Sequence, residues 1–181
     1  AVIKKVDAAL EVRVHPALVP MDHVLASVSG VYNAVLVRGN LVGASLYYGR
    51  GAGMEPTAST VIGDIADVAR NIISQSPCRV PAMAWLARTI RIKQMQDIES
   101  RYYVRLSVKD QPGVLGKITS VLGQHKISIA SVNQKEGMES GCVPVVMATH
   151  KVREKELMGA MAEINGMDIM GAKAVVFRIE G

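Results

Sequence analysis

Residues Tyr48-Gly49-Arg50-Gly51-Ala52-Gly53-Met54-Glu55-Pro56-Thr57-Ala58-Ser59 put three glycines into five positions, then a proline, then a small hydroxylated run. Glycine lets the backbone take positive φ and approach a ligand closely. The first N–H groups of a helix have no partner inside it, so they attract an anion or a carbonyl oxygen. Leu41 to Tyr48 reads as a strand ahead of the turn, and Thr57 or Ser59 as the cap of a helix behind it. Strand, turn and helix together form a place for a cofactor or polar ligand. The same glycines also serve a plain tight turn, a reading that fits Gly49 best.

Around this turn the chain is organised in two parts. Glu11 to Pro16 alternates polar and apolar residues as a strand does, and Pro16 and Pro20 bracket an extended segment. Val31 to Val37 and Leu41 to Tyr48 read as a hairpin turning at Arg38-Gly39-Asn40. Val61, Ile62, Ile65, Val68, Ala69, Ile72 and Ile73 recur at helical spacing, and that helix ends near Ser76-Pro77. Residues 77–100, with Pro77, Pro81 and the lone Trp85, read as a connector containing one helical turn around Ala84 to Arg88. Asn33, on a strand among apolar neighbours, is expected to be a buried amide.

The second part begins at Arg101. Tyr103 to Val108 alternates as a strand, and Asp110-Gln111-Pro112-Gly113 turns into a helix with Val114, Leu115, Ile118, Val121 and Leu122 on one face. Strands follow at 127–132 and 143–149, the latter placed at an edge or bulge by Pro144. A helix over 152–165 and a strand over 173–179 complete the order βαββαβ, a ferredoxin-like plan with two helices on one face of a four-stranded antiparallel sheet. The expected fold class is therefore α+β.

Composition narrows the function. The 49% hydrophobic and 20% charged content is that of a folded globular chain. The net charge is +5, but the basic residues are scattered and aromatics make up only 4%, which argues against nucleic-acid binding. Cys78 and Cys142 form no CxxC pair and fit a reducing, cytoplasmic setting. No apolar run reaches the length of a membrane span. His15 and His23 have no third ligand nearby, so no metal site is expected. Asp64 and Asp67 fit the start of a helix as complements to its dipole. Ala1-Val2-Ile3-Lys4-Lys5 reads as a helix end inside a longer polypeptide.

The run from Val14 to Ser59 resembles the late catalytic domain of homoserine dehydrogenases. It carries His15-Pro16-Ala17-Leu18-Val19-Pro20, Leu25-Ala26-Ser27-Val28, Gly30-Val31-Tyr32-Asn33-Ala34-Val35 and the glycine turn in order. Asp110-Gln111-Pro112-Gly113-Val114-Leu115 resembles the opening of an ACT domain, a small amino-acid-binding regulatory module. The resemblance implies a C-terminal portion of such an enzyme. Residues 1–76 would be part of the substrate and dimerisation domain, 77–100 a linker and 101–181 the ACT domain. It further implies NAD(P)-dependent interconversion of homoserine and aspartate semialdehyde, with the Rossmann domain and catalytic lysine outside this chain and no catalytic residue within it.

Carried over by the resemblance, Gly53 and Thr57, with Gly51, contact NAD or NADP. Asp110, Gln111, Gly113, Val114, Leu115, Ser128 and Asn133 receive an amino-acid effector, threonine foremost, where two ACT units pair side by side. At least a dimer is therefore expected. A free-standing amino-acid sensor without catalysis accounts equally for residues 101–181, but not for the run from His15 to Ser59.

Overall fold

A computed structural model describes residues 1–76, 90–134 and 141–181. In chain order its elements are β1 (Val2–Val6), β2 (Ala9–Arg13), β3 (Ala17–Leu18), β4 (Tyr32–Gly39), β5 (Gly43–Arg50), α1 (Met54–Ile73), β6 (Arg91–Ile92), β7 (Glu99–Lys109), α2 (Val114–Gln124), β8 (Ile129–Gln134), β9 (Cys142–Thr149), β10 (Val152–Arg153), α3 (Glu154–Asn165) and β11 (Met170–Ile179). The chain forms two compact units: residues 1–20 with 90–181, and residues 21–89. Compactness thus cuts the chain differently from the order of its motifs, because its first twenty residues fold with its last ninety. The connector's helical turn at Ala84 to Arg88 lies outside the described residues.

The larger unit is built on the sheet β3-β11-β7-β9-β8, with β10 pairing β7. Its four long strands carry the expected ferredoxin-like order. Strict alternation along β7 sends Ser100, Tyr102, Val104, Leu106 and Val108 to one face, where they are buried. Val143, Val145 and Met147 of β9 join them. Ile118, Val121 and Leu122 of α2, and Leu157, Ala160, Met161 and Ile164 of α3, seal that face as the core. Pro144 does not mark an edge. It stands in a central strand opposite Ser107, one step past the last described β8–β9 pair, Gln134 with Val145. Residues of an antiparallel strand turn their N–H groups alternately toward one neighbour and the other, so the missing donor disturbs one side of the ladder only.

The first residues are a hairpin, not a helix end. Val2, Ile3 and Val6 are β-branched and favour a strand. Asp7, at φ 55°, and Ala8 form the two-residue loop between paired Val6 and Ala9. β6 adds to β2 in parallel. The proline-bracketed segment is extended as expected, and β3 adds to β11 in parallel, Ala17 opposite Arg178 and Leu18 opposite Ile179.

Buried charges are concentrated at the end of β11. Glu154, 6% exposed, opens α3. It accepts the Tyr102 hydroxyl at 2.6 Å and Arg178 Nε at 2.9 Å, and Arg178 Nη2 bonds its other oxygen. Burial, then the bond to Glu154, pushes the Tyr102 phenol well above its ordinary pKa. Two residues on, Glu180 faces Lys4 Nζ at 2.6 Å and the buried Arg13 at 2.5 Å. Burial alone raises the Glu180 carboxyl, but the Lys4 hydrogen bond and the Arg13 charge outweigh it and hold the group below its usual value.

Among the described residues the smaller unit has no comparable core. β4 and β5 pair over their whole length, Tyr32 opposite Arg50 through Gly39 opposite Gly43. Tyr32 and Tyr48 stack with ring centroids 4.9 Å apart. The apolar stripe of α1 is present at the expected spacing, yet no residue of the helix is buried, and Ile65, Val68 and Ile72 are exposed.

Two outcomes follow from this division. Ile118→Ala should cost about 2–5 kcal/mol in urea unfolding, whereas Ile72→Ala should change it by under about 0.5 kcal/mol; equal losses would mean α1 is buried after all. Because the Glu180 pKa is depressed by folding, its stabilisation is present above the unfolded value and is lost as pH falls through the folded one. The stability gap between the native chain and Glu180→Gln should hold steady down to about pH 5 and close below about pH 4. A gap that ignores pH would show the ion pair contributes nothing.

Candidate functional site

The glycine turn leads from β5 into α1 as expected, but the helix cap comes at Gly53, ahead of both hydroxyls expected to supply it. Gly53 is the N-cap, and neither Thr57 nor Ser59 caps. Pro56 lies in the first turn, where its missing N–H breaks no intrahelical bond. Thr57 comes one turn in, with its N–H on the Gly53 carbonyl at 3.2 Å. Gly53 has φ 128° and ψ 158°, a conformation closed in practice to residues with a Cβ. It offers no side chain to the helix start, which therefore has no side-chain cap. An uncapped start behind a glycine is open to an acceptor atom from outside.

The three glycines differ in what they permit. A Cβ on Gly51 would lie 2.1 Å from Asn33 Nδ2, so Gly51 makes room for that amide. A Cβ on Gly49 would meet nothing within 4 Å. Asn33 is exposed, not buried, its side chain lying against the Gly51 backbone. Periodicity could not reveal this contact, since it joins a strand residue to a turn far along the chain.

The second group of candidates sits on the ferredoxin-like sheet. Gly113, at φ 85° and ψ −9°, is the N-cap of α2, again with no side-chain cap and no acidic residue in the first turn. The Asp110 N–H reaches the Gly141 carbonyl at 3.4 Å, and the Val114 N–H reaches the Gln111 carbonyl at 3.3 Å. The Val114 side chain is buried in the core, whereas Leu115 is 37% exposed. Asn133 is exposed on β8, opposite Val146. Ser128 precedes β8, exposed, with its carbonyl taking the His150 N–H.

Register shows which of these come together. Lys109 pairs Cys142, while Asn133 pairs Val146, four residues farther along β9 and one strand beyond. Ser128 lies at the other end of the sheet from the 110–113 turn, since Ile129 pairs Thr149. At about 3.4 Å per residue and 4.8 Å between strands, the turn and Asn133 stand well over 10 Å apart. One module therefore gathers Asp110 to Leu115 but not Asn133 or Ser128. β3 pairs only the end of the β11 edge, at Arg178 and Ile179, and β8 stands at the other edge of the sheet among the described residues.

The histidines have local roles. His23 accepts the Leu25 N–H at 3.2 Å, and His15 contacts Arg13 Nη1 at 3.1 Å. His125 approaches Glu163 at 3.2 Å. No group of three metal-ligating side chains occurs among the described residues. No helix among them is long and apolar enough to cross a membrane.

Comparison with known proteins gives two matches in order along the chain. The homoserine dehydrogenase family profile matches residues 1–66, and the ACT domain profile matches residues 102–166. The chain is 41% identical over 183 aligned residues to homoserine dehydrogenase of Pseudomonas aeruginosa and 40% identical over 182 to that of Neisseria gonorrhoeae. Each alignment covers 99% of this chain and 42% of the relative. The chain corresponds to the C-terminal portion of homoserine dehydrogenases. It spans about two-fifths of the length of those relatives. The crystal structure of a homoserine dehydrogenase from Thiobacillus denitrificans superimposes with a TM-score of 0.84 at 39% identity, over 98% of this chain and 41% of that one. The Staphylococcus aureus enzyme at pH 7.0, with a TM-score of 0.51 and 23% identity, shares the fold. The homoserine dehydrogenase match carries the β1–β2 hairpin, the glycine turn and most of α1; the ACT match carries most of β7, β8, β9 and both helices, and ends before β11.

The glycines give a graded expectation. Gly53→Ala should speed amide exchange across β5 and the first turn of α1 at least roughly tenfold, the equivalent of about 1.4 kcal/mol. Gly51→Ala should do so only while Asn33 is present, so that Asn33→Ala partly rescues it. Gly49→Ala should be near neutral. Equal effects at all three positions would reduce the turn to generic flexibility.

Proposed function

We propose that this chain is part of an enzyme interconverting L-homoserine and L-aspartate 4-semialdehyde with NAD or NADP, and that its ACT module senses an amino acid, threonine foremost. Residues 1–76 belong in this reading to the substrate and dimerisation domain, 77–100 to a linker and 101–181 to the ACT domain. The observation that carries the catalytic half is Gly53: a residue that must be glycine, heading an uncapped helix, within the matched segment. When bound, the nicotinamide accepts the hydride from the carbinol carbon of homoserine or returns it to the aldehyde. The work of this chain is positional. The open N–H groups at the start of α1 hold a polar group of the cofactor, Gly53 lets it come close, and the Thr57 hydroxyl adds a second hydrogen bond. Gly51 shapes the turn by seating Asn33. Proton transfer and the catalytic lysine belong to the part of the relatives that this chain does not span.

In the ACT module, the uncapped α2 start at Gly113 receives the carboxylate of a free amino acid. Asp110 faces its ammonium, and the Gln111 and Leu115 positions line the entrance. Val114 contributes through its backbone, since its side chain is in the core. A second copy must complete the site, because Asn133 stands too far from the turn within one module. In this reading pairing runs through β8, the edge strand that carries Asn133, which sets one module's Asn133 and Ser128 beside its partner's turn. Ligand binding and pairing are then linked, and effector and substrate affinities are reciprocally coupled.

Calorimetry of this chain with threonine, isoleucine, lysine and methionine, read beside sedimentation, tests the regulatory half. Threonine should bind and favour the dimer, and Asp110→Ala should weaken binding at least tenfold. Binding by a monomer, or indifference to Asp110→Ala, would overturn this site. Mixed with homoserine and either nicotinamide, the chain alone should show no turnover; a robust rate would refute the assignment of catalysis to residues elsewhere.

A further inference from the structure

The face of the ferredoxin-like sheet opposite α2 and α3 carries a concave site of its own. A cavity of about 650 Å³ near the β1–β2 loop is lined by balanced acids and bases, but the cavity on this sheet face, of about 540 Å³, is not balanced. It is lined by Tyr103, Arg105, Ser107, Pro144, Val146 and Val175, with Cys142, Ala172 and Lys173 at its end and side. No carboxylate lines it. Among the described residues Arg105 and Lys173 have no ion-pair partner, although most basic side chains of this unit's interior, such as Arg13 and Arg178, are matched with acids.

The hollow is built into the backbone. β11 departs from regular register against β7 twice, between Met170 and Ala172 and between Ala172 and Val175. Bulges bend a strand and re-aim its side chains, and they recur beside binding sites. The irregular stretch is pinned from the other face, where Asn165 Oδ1 accepts the Ala174 N–H at 2.8 Å. Gly171 permits the bend: a Cβ there would lie 2.5 Å from Cys142 Sγ and 3.3 Å from Ser107 Oγ. Tyr103 and Phe177, with ring centroids 6.4 Å apart, form an aromatic wall at the Tyr103 end.

We propose that this groove binds a small organic anion with a flat or branched apolar body, the anionic head between Arg105 and Lys173 and the body over Val146, Pro144 and Val175 toward Tyr103. Its size is that of a small-molecule pocket, apolar with a few convergent polar groups. A second copy stacked face to face on a two-fold axis is disfavoured, since it would bring the same two cations against themselves. The proposal does not depend on the effector site at the 110–115 turn, which belongs to the helix side of the sheet.

Naphthalene-2-sulfonate is a suitable probe, with neutral naphthalene-2-sulfonamide as its match in shape. Titrated into the full chain, the sulfonate should bind and slow alkylation of Cys142, read by peptide mapping. The sulfonamide should bind at least tenfold more weakly. Arg105→Gln with Lys173→Gln should weaken the sulfonate at least tenfold and leave threonine binding unchanged; both side chains stand outside the core, and an unchanged far-ultraviolet dichroism spectrum checks the fold. Val146→Trp, which fills the groove and keeps both cations, should also abolish protection of Cys142. Absence of binding, equal binding of the neutral analogue, or protection that survives both variants would overturn the proposal.

Discussion

Two charged residues flank the last residue of β11, and the larger unit depends on how they are neutralised. Arg178 points to the core side and meets Glu154 beneath the Tyr102 hydroxyl. Glu180, two residues on, meets Lys4 and Arg13. A charge taken out of water is tolerated only with a close opposite charge and hydrogen bonds. These pairings therefore fix the last strand of the ACT sheet, the start of α3 and the N-terminal hairpin in one arrangement. The parallel ladder between β3 and β11 runs between them.

This arrangement places the chain's start and its end in one compact body, with residues 21–89 leaving and returning between them. Ala17 pairs with Arg178 of β11, and Arg13 with Glu180 just past that strand, so both ends of the described chain meet at one place. The segment carrying the glycine turn begins just beyond that point of attachment.

Much of this was legible from sequence. The periodicity of Val114, Ile118, Val121 and Leu122, and the alternation along Tyr103 to Val108, marked one face of a helix and one face of a strand. Both patterns reflect burial against a complete core, and both elements stand where they were expected. The helical stripe of α1 is equally regular, yet none of its residues is buried. Periodicity reports which face a helix was selected to bury, not whether its partner is at hand. Val2 to Val6 is a strand where a helix end is expected, since two adjacent lysines hide three β-branched residues, and Pro144 stands in a central strand because a proline's cost depends on which way its missing N–H would point.

By itself the sequence determined the β4–β5 hairpin, the glycine turn, the βαββαβ plan and the family resemblance, because these rest on local steric rules and short-range periodicity. Only the tertiary structure decided that Gly53 and not Thr57 heads α1, that Gly51 is needed by Asn33, and that Asp110 and Asn133 stand apart in a single module. The same holds for β3 pairing the end of β11 and for the two register shifts beside the groove on the face opposite α2 and α3. Each of these joins residues far apart along the chain, and their contacts are set by strand register and by the pairing of buried charges, neither of which leaves a periodic trace in the sequence.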